Sequence, residues 1–274
     1  MRENPPVVLV FAGNDPSGGA GLSADILTLA SLGCHALPVV TAITVQDTAG
    51  VQDYLAVDAE WVDDQARLLL EDMKVDAIKV GMMASFETLA VIAAIAADYP
   101  DIPLILDPVM ASGRGDDLAS EELVGAMREL LLPHTMIVTP NSQEARQLAS
   151  DDPDEQDDLP LDLAAQRIIA CGCDYVLITG THENTPQVVN TLYSGVGRGR
   201  SDSWQRLPGS YHGSGCTLAS ALAGMIASGA DVDQAVREAQ EYTWQSLSKA
   251  FRPGMGQFIP DRLFWAQAEE EGKE

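Results

Sequence analysis

Short apolar runs alternate with segments of helical apolar spacing along nearly the whole chain. The apolar runs predict strands, which cover residues 7–12, 37–45, 51–57, 77–80, 103–106, 135–138 and 175–179. The segments of helical spacing predict helices, which cover residues 21–32, 59–73, 86–98, 120–131, 143–149, 161–171, 216–228 and 232–250. Residues 188–193 and 203–207 surround a glycine-rich turn and predict a hairpin. Because short, fully apolar strands separated by helices are typical of a parallel sheet covered on both faces, the pattern predicts an α/β fold.

The predicted elements follow one another without a linker or an internal repeat, so we expect one domain, residues 1–274. Within it, a run of acidic residues at 151–158 predicts a solvated loop over 150–160. The acidic end of the chain, residues 268–274, is expected to fray because nothing in its sequence would tie it to a core.

The formal net charge of −25 limits the kinds of partner that the chain can bind. Nucleic acid and acidic membrane surfaces would be repelled, so neither is expected as a partner. No apolar run is long enough to span a bilayer, and the run at 7–11 is too short for a signal sequence, so we expect a cytoplasmic protein. The acidic, lysine-poor composition suggests a salty cytoplasm. A nucleotide polyphosphate would also meet a repulsive field, so local donors and a bound cation must hold it.

The four cysteines show neither the spacing of a zinc site nor that of a disulfide framework. Cys171 and Cys173 lie at a predicted helix-to-strand junction and are expected to be structural, since a free cysteine behaves as a small apolar residue. The histidines also lack a metal-ligand spacing. We expect His35 and His134 to be ordinary surface or junction residues.

Polar residues and glycines follow six of the predicted strands. They occupy residues 13–15, 44–47, 81–83, 107–110, 139–141 and 180–181. Ligands of open α/β sheets bind outside the carboxyl ends of the strands, so this edge is the expected site. Met82, Met83 and Met110 belong to these strand ends, where they either fill the core or form an apolar wall against a flat heteroaromatic ring.

A glycine-flanked turn, Gly213-Ser214-Gly215, precedes the predicted helix at 216–228. Two glycines let the backbone turn sharply and approach a ligand, and the free N–H groups of the following helix suit an anion such as phosphate. Cys216, in the first helical turn, would have its thiolate stabilised by the same field. The alternative is a plain helix start, with Ser214 as the cap and Cys216 buried behind it.

The loop at 14–21 joins the first strand to the first helix, and its glycine spacing fits neither a dinucleotide fingerprint nor a Walker A loop. It is either a flexible turn capped by Ser17 or a loop whose backbone approaches a small ligand. Asp25, one turn into the helix, is either a carboxylate acceptor for that ligand or a favourable charge in the first turn.

Three oxygen-bearing side chains follow two neighbouring predicted strands. Asp107 comes directly after one strand, where it can orient phosphates or a metal-bound water. Asn141 and Glu144 follow the next and project in similar directions because they lie three residues apart. Hard oxygen ligands of this kind suit Mg²⁺. The alternative is a capping box, in which Asn141 and Glu144 only begin a helix.

Six motifs in this order resemble the hydroxymethylpyrimidine/phosphomethylpyrimidine kinases of thiamine biosynthesis, within the ribokinase superfamily. They occupy residues 12–25, 41–48, 79–82, 107–110, 139–144 and 213–218, and the resemblance runs from about residue 7 to residue 250. It implies a ribokinase-like three-layer α/β/α sandwich with a mostly parallel central sheet and a small β flap, expected at 37–57. It also implies a homodimer, since relatives are commonly dimers.

The same resemblance implies the activity and the role of each site residue. Relatives phosphorylate 4-amino-5-hydroxymethyl-2-methylpyrimidine with ATP and Mg²⁺, and then phosphorylate the monophosphate to the diphosphate. The pyrimidine pocket is implied to comprise Gly13, Asp25, Gln46, Met82 and Val109. The anion hole is implied to be Gly213, Ser214 and Gly215, with Cys216 as the base. ATP and its phosphates are assigned to Asp107, Asn141 and Thr179, and Mg²⁺ to Glu144 and Asp107.

Some residues depart from the pattern of the family. Relatives often carry Lys-Gly-Gly-His where this chain has Thr179-Gly180-Thr181-His182, so a positive charge near the nucleotide is missing. Asp47 stands where relatives often have Asn, and Asn14 where they often have Ser or His. Two other functions stay open: a pyridoxal or pyridoxine kinase on the same scaffold, and a non-catalytic protein that binds a pyrimidine or a nucleotide.

Overall fold

A single sheet runs through the computed structural model, which describes residues 4–110 and 120–266. Its strands are β1 (Val7–Asn14), β2 (His35–Gln46), β3 (Val51–Ala56), β4 (Ala77–Val80), β5 (Leu104–Leu106), β6 (Ile137–Val138), β7 (Tyr175–Ile178), β8 (Gln187–Ser194) and β9 (Gly197–Gln205). The spatial order is β3-β2-β1-β4-β5-β6-β7-β8-β9. The six strands from β2 to β7 in this order pair in parallel, whereas β3, β8 and β9 add antiparallel pairs at the two edges.

Helices cover both faces of this sheet. They are α1 (Gly21–Ser31), α2 (Ala59–Asp72), α3 (Phe86–Asp98), α4 (Glu121–Ala126), α5 (Ser142–Ala149), α6 (Pro153–Asp158), α7 (Leu161–Ala170), α8 (Ser214–Ala227) and α9 (Val232–Ser248). Successive side chains of β1 point to opposite faces, so Leu9 and Phe11 join one core cluster while Val8 and Val10 join the other. The first cluster is covered by α2, α3 and α7, and the second by α1, α8 and α9. The predicted three-layer α/β/α fold is confirmed.

The predicted β flap is formed by β2 and β3. The last residues of β2, Ala42–Gln46, pair antiparallel with β3 from Ala56 back to Val51. Because β2 pairs with β1 only as far as Ile43, its end extends beyond the sheet. Gln46, the last residue of β2, therefore lies beyond the carboxyl ends of the central strands.

Two predicted elements differ from the structure. The acidic segment expected as a loop contains a helix, α6, because Asp152 caps it by accepting from the N–H of Asp154 and Pro153 occupies its first turn. The helix predicted at 120–131 divides into α4 and a π-helical turn, Met127–Leu131. The fraying expected at 268–274 lies outside the described residues. In the ranges that are described, no helix is long and apolar enough to cross a membrane.

Candidate active site

The turn before α8 leaves the first N–H groups of the helix open. Gly213 occupies the N-cap position with a φ of 79°, and no side chain among the described residues caps the helix there. Ser214 lies inside the helix, so the predicted alternative of a serine cap is wrong. A Cβ atom on Gly213 would lie 1.9 Å from the carbonyl oxygen of Gly19, so only glycine fits. The free N–H groups and the positive end of the α8 dipole therefore face the strand ends.

Cys216 faces charged groups of the cleft rather than the aliphatic core. Asp107 and the backbone N–H of Gly21 both lie close enough to the sulfur to influence its pKa. Burial, helped by the nearby carboxylates and opposed by the charge of Lys79, raises the pKa of Cys216 to about 12. This direction is opposite to the one that the helix start alone predicts, because burial and the carboxylates favour the neutral thiol.

Asp107 and Glu144 bring two carboxylates to neighbouring strand ends. Oδ2 of Asp107 is buried and has no hydrogen-bond partner within the described part of the chain. Burial raises the pKa of Asp107, and burial together with the charge of Asp107 raises the pKa of Glu144 to about 8. Carboxylates that are buried together in this way favour a cation between them.

Asn141 and Glu144 also form the predicted capping box. Oδ1 of Asn141 accepts from the N–H of Glu144 at 3.0 Å, and Oε2 of Glu144 accepts from the N–H of Asn141 at 2.8 Å. Thr179 lies beside Asn141 in a parallel β-bridge. Two of the three side chains that the resemblance assigns to ATP and its phosphates therefore lie at adjacent strand ends.

Of the three methionines predicted either to fill the core or to form an apolar wall, one, Met82, is left partly exposed. Met82 is half-buried, and a Cβ atom on Gly13 would lie 3.3 Å from its sulfur. Met83 and Met110 are each 3% exposed and belong to the core, so for them the structure favours the core-filling alternative. Val109 is half-buried at the end of the strand that carries Asp107.

Asp25 lies beneath the cleft and not in its wall. It is fully buried, and its carboxylate accepts from Nζ of Lys79 at 3.0 Å and from Oγ of Ser220 at 2.6 Å. Neither sequence alternative for Asp25, a ligand acceptor or a first-turn helix charge, describes this position. The partner of Asp25, Lys79, is the one charged residue in an otherwise apolar strand, residues 77–80. A lysine in such a strand is the sequence signal that could have indicated a buried ion pair.

Two further side chains that the sequence did not single out support the turn before α8. His212 is 8% exposed, and its Nε2 lies 2.8 Å from Oδ2 of Asp15 and 2.7 Å from the amide of Gln46. Arg262 is 3% exposed and donates to the carbonyl oxygen of Gly19 at 2.6 Å and to Oγ1 of Thr217 at 3.0 Å. These contacts join the loop after β1, the flap and the C-terminal segment at one point.

The site lies at the carboxyl edge of the sheet. A cavity of about 530 Å³ opens at the other edge, where it is lined by residues that include Pro103, Met136 and Tyr175. None of the predicted site residues lines that cavity. The chemistry-bearing side chains therefore converge on the edge that strand topology favours.

Comparison with known proteins decides the family. The phosphomethylpyrimidine kinase family matches residues 15–261. The chain belongs to this family. A hydroxymethylpyrimidine/phosphomethylpyrimidine kinase of Mycobacterium bovis is 39% identical over 263 residues, which cover 95% of this chain and 94% of that protein. The family resemblance drawn from the six motifs is thus confirmed.

Solved structures of kinases share the fold. An ADP complex of Bacillus subtilis pyridoxal kinase has a TM-score of 0.85 and 26% identity, and covers 97% of this chain and 100% of that one. A phosphomethylpyrimidine kinase from Clostridium difficile has a TM-score of 0.74 and 28% identity, and covers 88% of this chain and 99% of that one. Membership of this kinase family establishes ATP as the expected phosphoryl donor.

Proposed function

We propose that the protein transfers the γ-phosphoryl group of ATP to 4-amino-5-hydroxymethyl-2-methylpyrimidine, and then phosphorylates the monophosphate to the diphosphate, for thiamine biosynthesis. The observation that carries this proposal is the position of Cys216, which lies at the uncapped start of α8 and beside Asp107. A proton acceptor and an anion site are thereby placed side by side. Phosphoryl transfer requires this arrangement, since it depends mainly on positioning and on stabilising charge on the transferred oxygens.

In this proposal the open turn of α8 binds the phosphate that is transferred. The backbone N–H groups of Gly213, Ser214 and Gly215 form the anion hole, and the α8 dipole adds a positive field. Asn141 and Thr179, at adjacent strand ends, contact ATP. The family's positive charge at position 179 is missing here, so the helix terminus and the metal hold a larger share of the phosphate charge.

Cys216 acts as the base in this transfer. Its thiol first releases its proton to water, which leaves a thiolate whose charge the nearby Lys79 favours, while Asp107 stays ionised for the metal. As the hydroxymethyl oxygen attacks the γ-phosphorus, the hydroxyl proton passes to the sulfur of Cys216. Asp107 and Lys79 are buried beside the half-buried sulfur, which limits the access of water to this transfer.

The residues present fit a magnesium ion that arrives with ATP. The unpartnered Oδ2 of Asp107 and the carboxylate of Glu144 are hard oxygen ligands. No group of three or more metal-binding side chains occurs in the described ranges, which is typical of Mg²⁺ held by one or two carboxylates with phosphates and water. When bound, the ion would offset the negative charge of the phosphates.

The pyrimidine ring would lie against Gly13 and Met82, with Val109 completing the apolar wall. Gln46 would face the polar edge of the ring, where its amide can hydrogen-bond to a ring nitrogen. Asp25 supports this pocket from below through Lys79 rather than by contact with the ring.

A homodimer is also proposed, with the flap as its interface. The outer side of the flap exposes more than half of the side chains of Ile43, Val45 and Leu55. Ile43 and Leu55 are cross-strand neighbours, so their apolar surfaces are continuous. Burying these side chains against a second copy would remove this surface from water.

Pyridoxal phosphorylation is the second candidate, because the fold is shared with pyridoxal kinases at a TM-score of 0.85. The pyrimidine kinases are favoured, since their sequences are 39% identical against 26%. A non-catalytic binding protein is disfavoured, because Cys216, Asp107, Asn141 and Glu144 are all retained at the site.

The test is a side-by-side assay of the purified protein with MgATP and either the hydroxymethylpyrimidine or pyridoxal, with products resolved by mass spectrometry. We expect the pyrimidine monophosphate first and the diphosphate later, with a higher kcat/KM for the pyrimidine. Turnover of pyridoxal alone would replace this proposal with the second candidate. ATP consumption that does not depend on the pyrimidine would contradict both kinase functions.

A further inference from the structure

Asp15, His212 and Gln46 form a line of polar contacts across three separate parts of the fold. Asp15 lies in the loop after β1, His212 directly precedes the turn at Gly213, and Gln46 ends β2 in the flap. Nε2 of His212 is the shared atom, at 2.8 Å from Oδ2 of Asp15 and 2.7 Å from the side-chain amide of Gln46. Gln46 is the only one of the three that the proposed function assigns to substrate.

The proton on Nε2 of His212 follows from Asp15. Besides His212, the carboxylate of Asp15 accepts from the N–H groups of Ser17 and Ala20, each at 2.8 Å. Burial acts to raise the pKa of Asp15, but these hydrogen bonds together hold it below its usual range. Asp15 is therefore ionised and can only accept. Since an imidazole lone pair facing a carboxylate would be repelled, Nε2 must carry the proton and donate.

This assignment decides how the amide of Gln46 is turned. Two orientations of the amide, related by a 180° rotation, place either its nitrogen or its oxygen 2.7 Å from Nε2 of His212. The nitrogen is a donor and would oppose the N–H of His212, whereas the oxygen accepts it in a three-centre hydrogen bond. The oxygen of Gln46 therefore faces His212, and its NH₂ group faces the opposite way, toward the cleft.

The imidazole is held too closely to adopt another orientation. A Cβ atom on Gly19 would lie 2.3 Å from Cδ2 of His212, so the ring fills the space beside that glycine. The backbone N–H of His212 donates to the carbonyl oxygen of Phe258 at 2.8 Å. Fixed side chains of this kind are what hold a binding group in its productive geometry.

We propose that His212, anchored by Asp15, is a positioning residue that presents the NH₂ group of Gln46 to the substrate and so selects a heteroaromatic ring with an unprotonated nitrogen at that edge. This inference rests on the proposed function and deepens it. In 4-amino-5-hydroxymethyl-2-methylpyrimidine the matching acceptor is the ring nitrogen beside the exocyclic amine. The same residue directly precedes Gly213, so the ring-binding side of the site adjoins the anion hole at this turn.

His212→Leu and His212→Gln test the proposal as a matched pair. Leucine removes the N–H, whereas the glutamine amide can place an N–H near the position of Nε2. Losing the donor leaves the oxygen of Gln46 free to rotate toward the ring, so we expect His212→Leu to raise KM for the pyrimidine about tenfold, the equivalent of about 1.4 kcal/mol. KM for ATP should stay nearly unchanged. His212→Gln should restore most of the loss in KM.

A substrate analogue gives a second, independent measurement. Replacing the ring nitrogen beside the amine with CH should weaken binding to the wild-type enzyme, and His212→Leu should remove most of that discrimination. If His212→Leu fails to fold by circular dichroism, Asp15→Asn is measured instead, with the same expected rise in KM for the pyrimidine. Equal KM values in the leucine and glutamine variants, or undiminished discrimination in the leucine or asparagine variant, would overturn the inference. Pyrimidine turnover by the wild type decides the proposed function separately.

Discussion

Nζ of Lys79 lies 3.0 Å from each carboxylate oxygen of Asp25, and neither side chain is exposed to solvent. The pair lies directly beneath the cleft, where Lys79 also acts electrostatically on Cys216 and Asp107. Although burial alone would lower the pKa of Lys79, the carboxylate of Asp25 in particular raises it, so the ammonium stays charged. One buried cation thus offsets several acidic groups of the site.

Removing one member of this pair should destabilise the protein strongly. Lys79→Met leaves the carboxylate of Asp25 buried without its counter-charge, so the free energy of unfolding should fall by about 3–5 kcal/mol. The double variant Lys79→Met/Asp25→Asn, which keeps an acceptor for Ser220, should recover most of the loss. Urea denaturation measures both. Asp98→Asn, which removes a half-exposed partner of Arg67, is the control and should cost less than about 1 kcal/mol. A double variant as unstable as Lys79→Met would contradict this explanation.

Gly213 should tolerate no side chain. Gly213→Ala combines a left-handed φ with a clash against Gly19 and Arg262, whereas Gly33→Ala has a similar φ of +77° and open space around it. The conformational cost shared by both is about 1–2 kcal/mol. We expect Gly213→Ala to lose clearly more unfolding free energy than Gly33→Ala, and to lose phosphoryl transfer. Equal losses in the two variants would show that the close approach to Gly19 has no energetic role.

Stability should depend on pH through Glu144. Its pKa of about 8 in the folded protein exceeds its ordinary value of 4.5, so between these values the folded state holds a proton that the unfolded chain has released. The free energy of unfolding therefore falls as pH rises through this window. Glu144→Gln can keep the capping box and should remove the part of this pH dependence of the unfolding free energy that Glu144 causes. Denaturation at about pH 5 and about pH 8 with a chelator present measures it. Identical pH dependence in both proteins would contradict the assignment.

The magnesium requirement should depend on Asp107. Asp107→Asn removes the charge at nearly constant volume, so the Mg²⁺ concentration for half-maximal rate should rise about 10–100-fold. The KM for the pyrimidine should change little, because Asp107 is assigned to the phosphates. An unchanged magnesium titration would exclude Asp107 as a ligand. Asp98→Asn, remote from the site, serves again as the control.

The sequence predicted the strands and the site edge because both follow from local patterns. Apolar runs identify buried parallel strands, and their carboxyl ends meet at one edge whatever the exact boundaries. Helix α6 was missed because its acidic composition concealed a start signal, Asp152 followed by Pro153, that local sequence does contain. The capping box at Asn141 could be predicted because it also follows from a local pattern, since all of its contacts lie within three residues.

Long-range contacts could not be predicted in this way. His212 and Asp15 are 197 residues apart, and Arg262 and Gly19 are 243 apart, so no periodicity relates them. The protonation of Cys216 depends on burial against the opposing charges of Lys79 and Asp107, which only the packed structure brings together. The position of Cys216 at a helix start, taken alone, predicts a lowered pKa, whereas the packed structure raises it.

The turnover number of Cys216→Ala tests the central claim most directly, that a sulfur at the start of α8 takes the proton of the attacking hydroxyl. Cys171→Ala, which alters a half-buried cysteine with a bond to the backbone of Arg167, is the matched control. With MgATP and the hydroxymethylpyrimidine, we predict that Cys216→Ala lowers kcat by about 10²–10⁴-fold, the usual share of a general base, while Cys171→Ala stays near wild type. A Cys216→Ala enzyme within a few-fold of wild type would contradict the account.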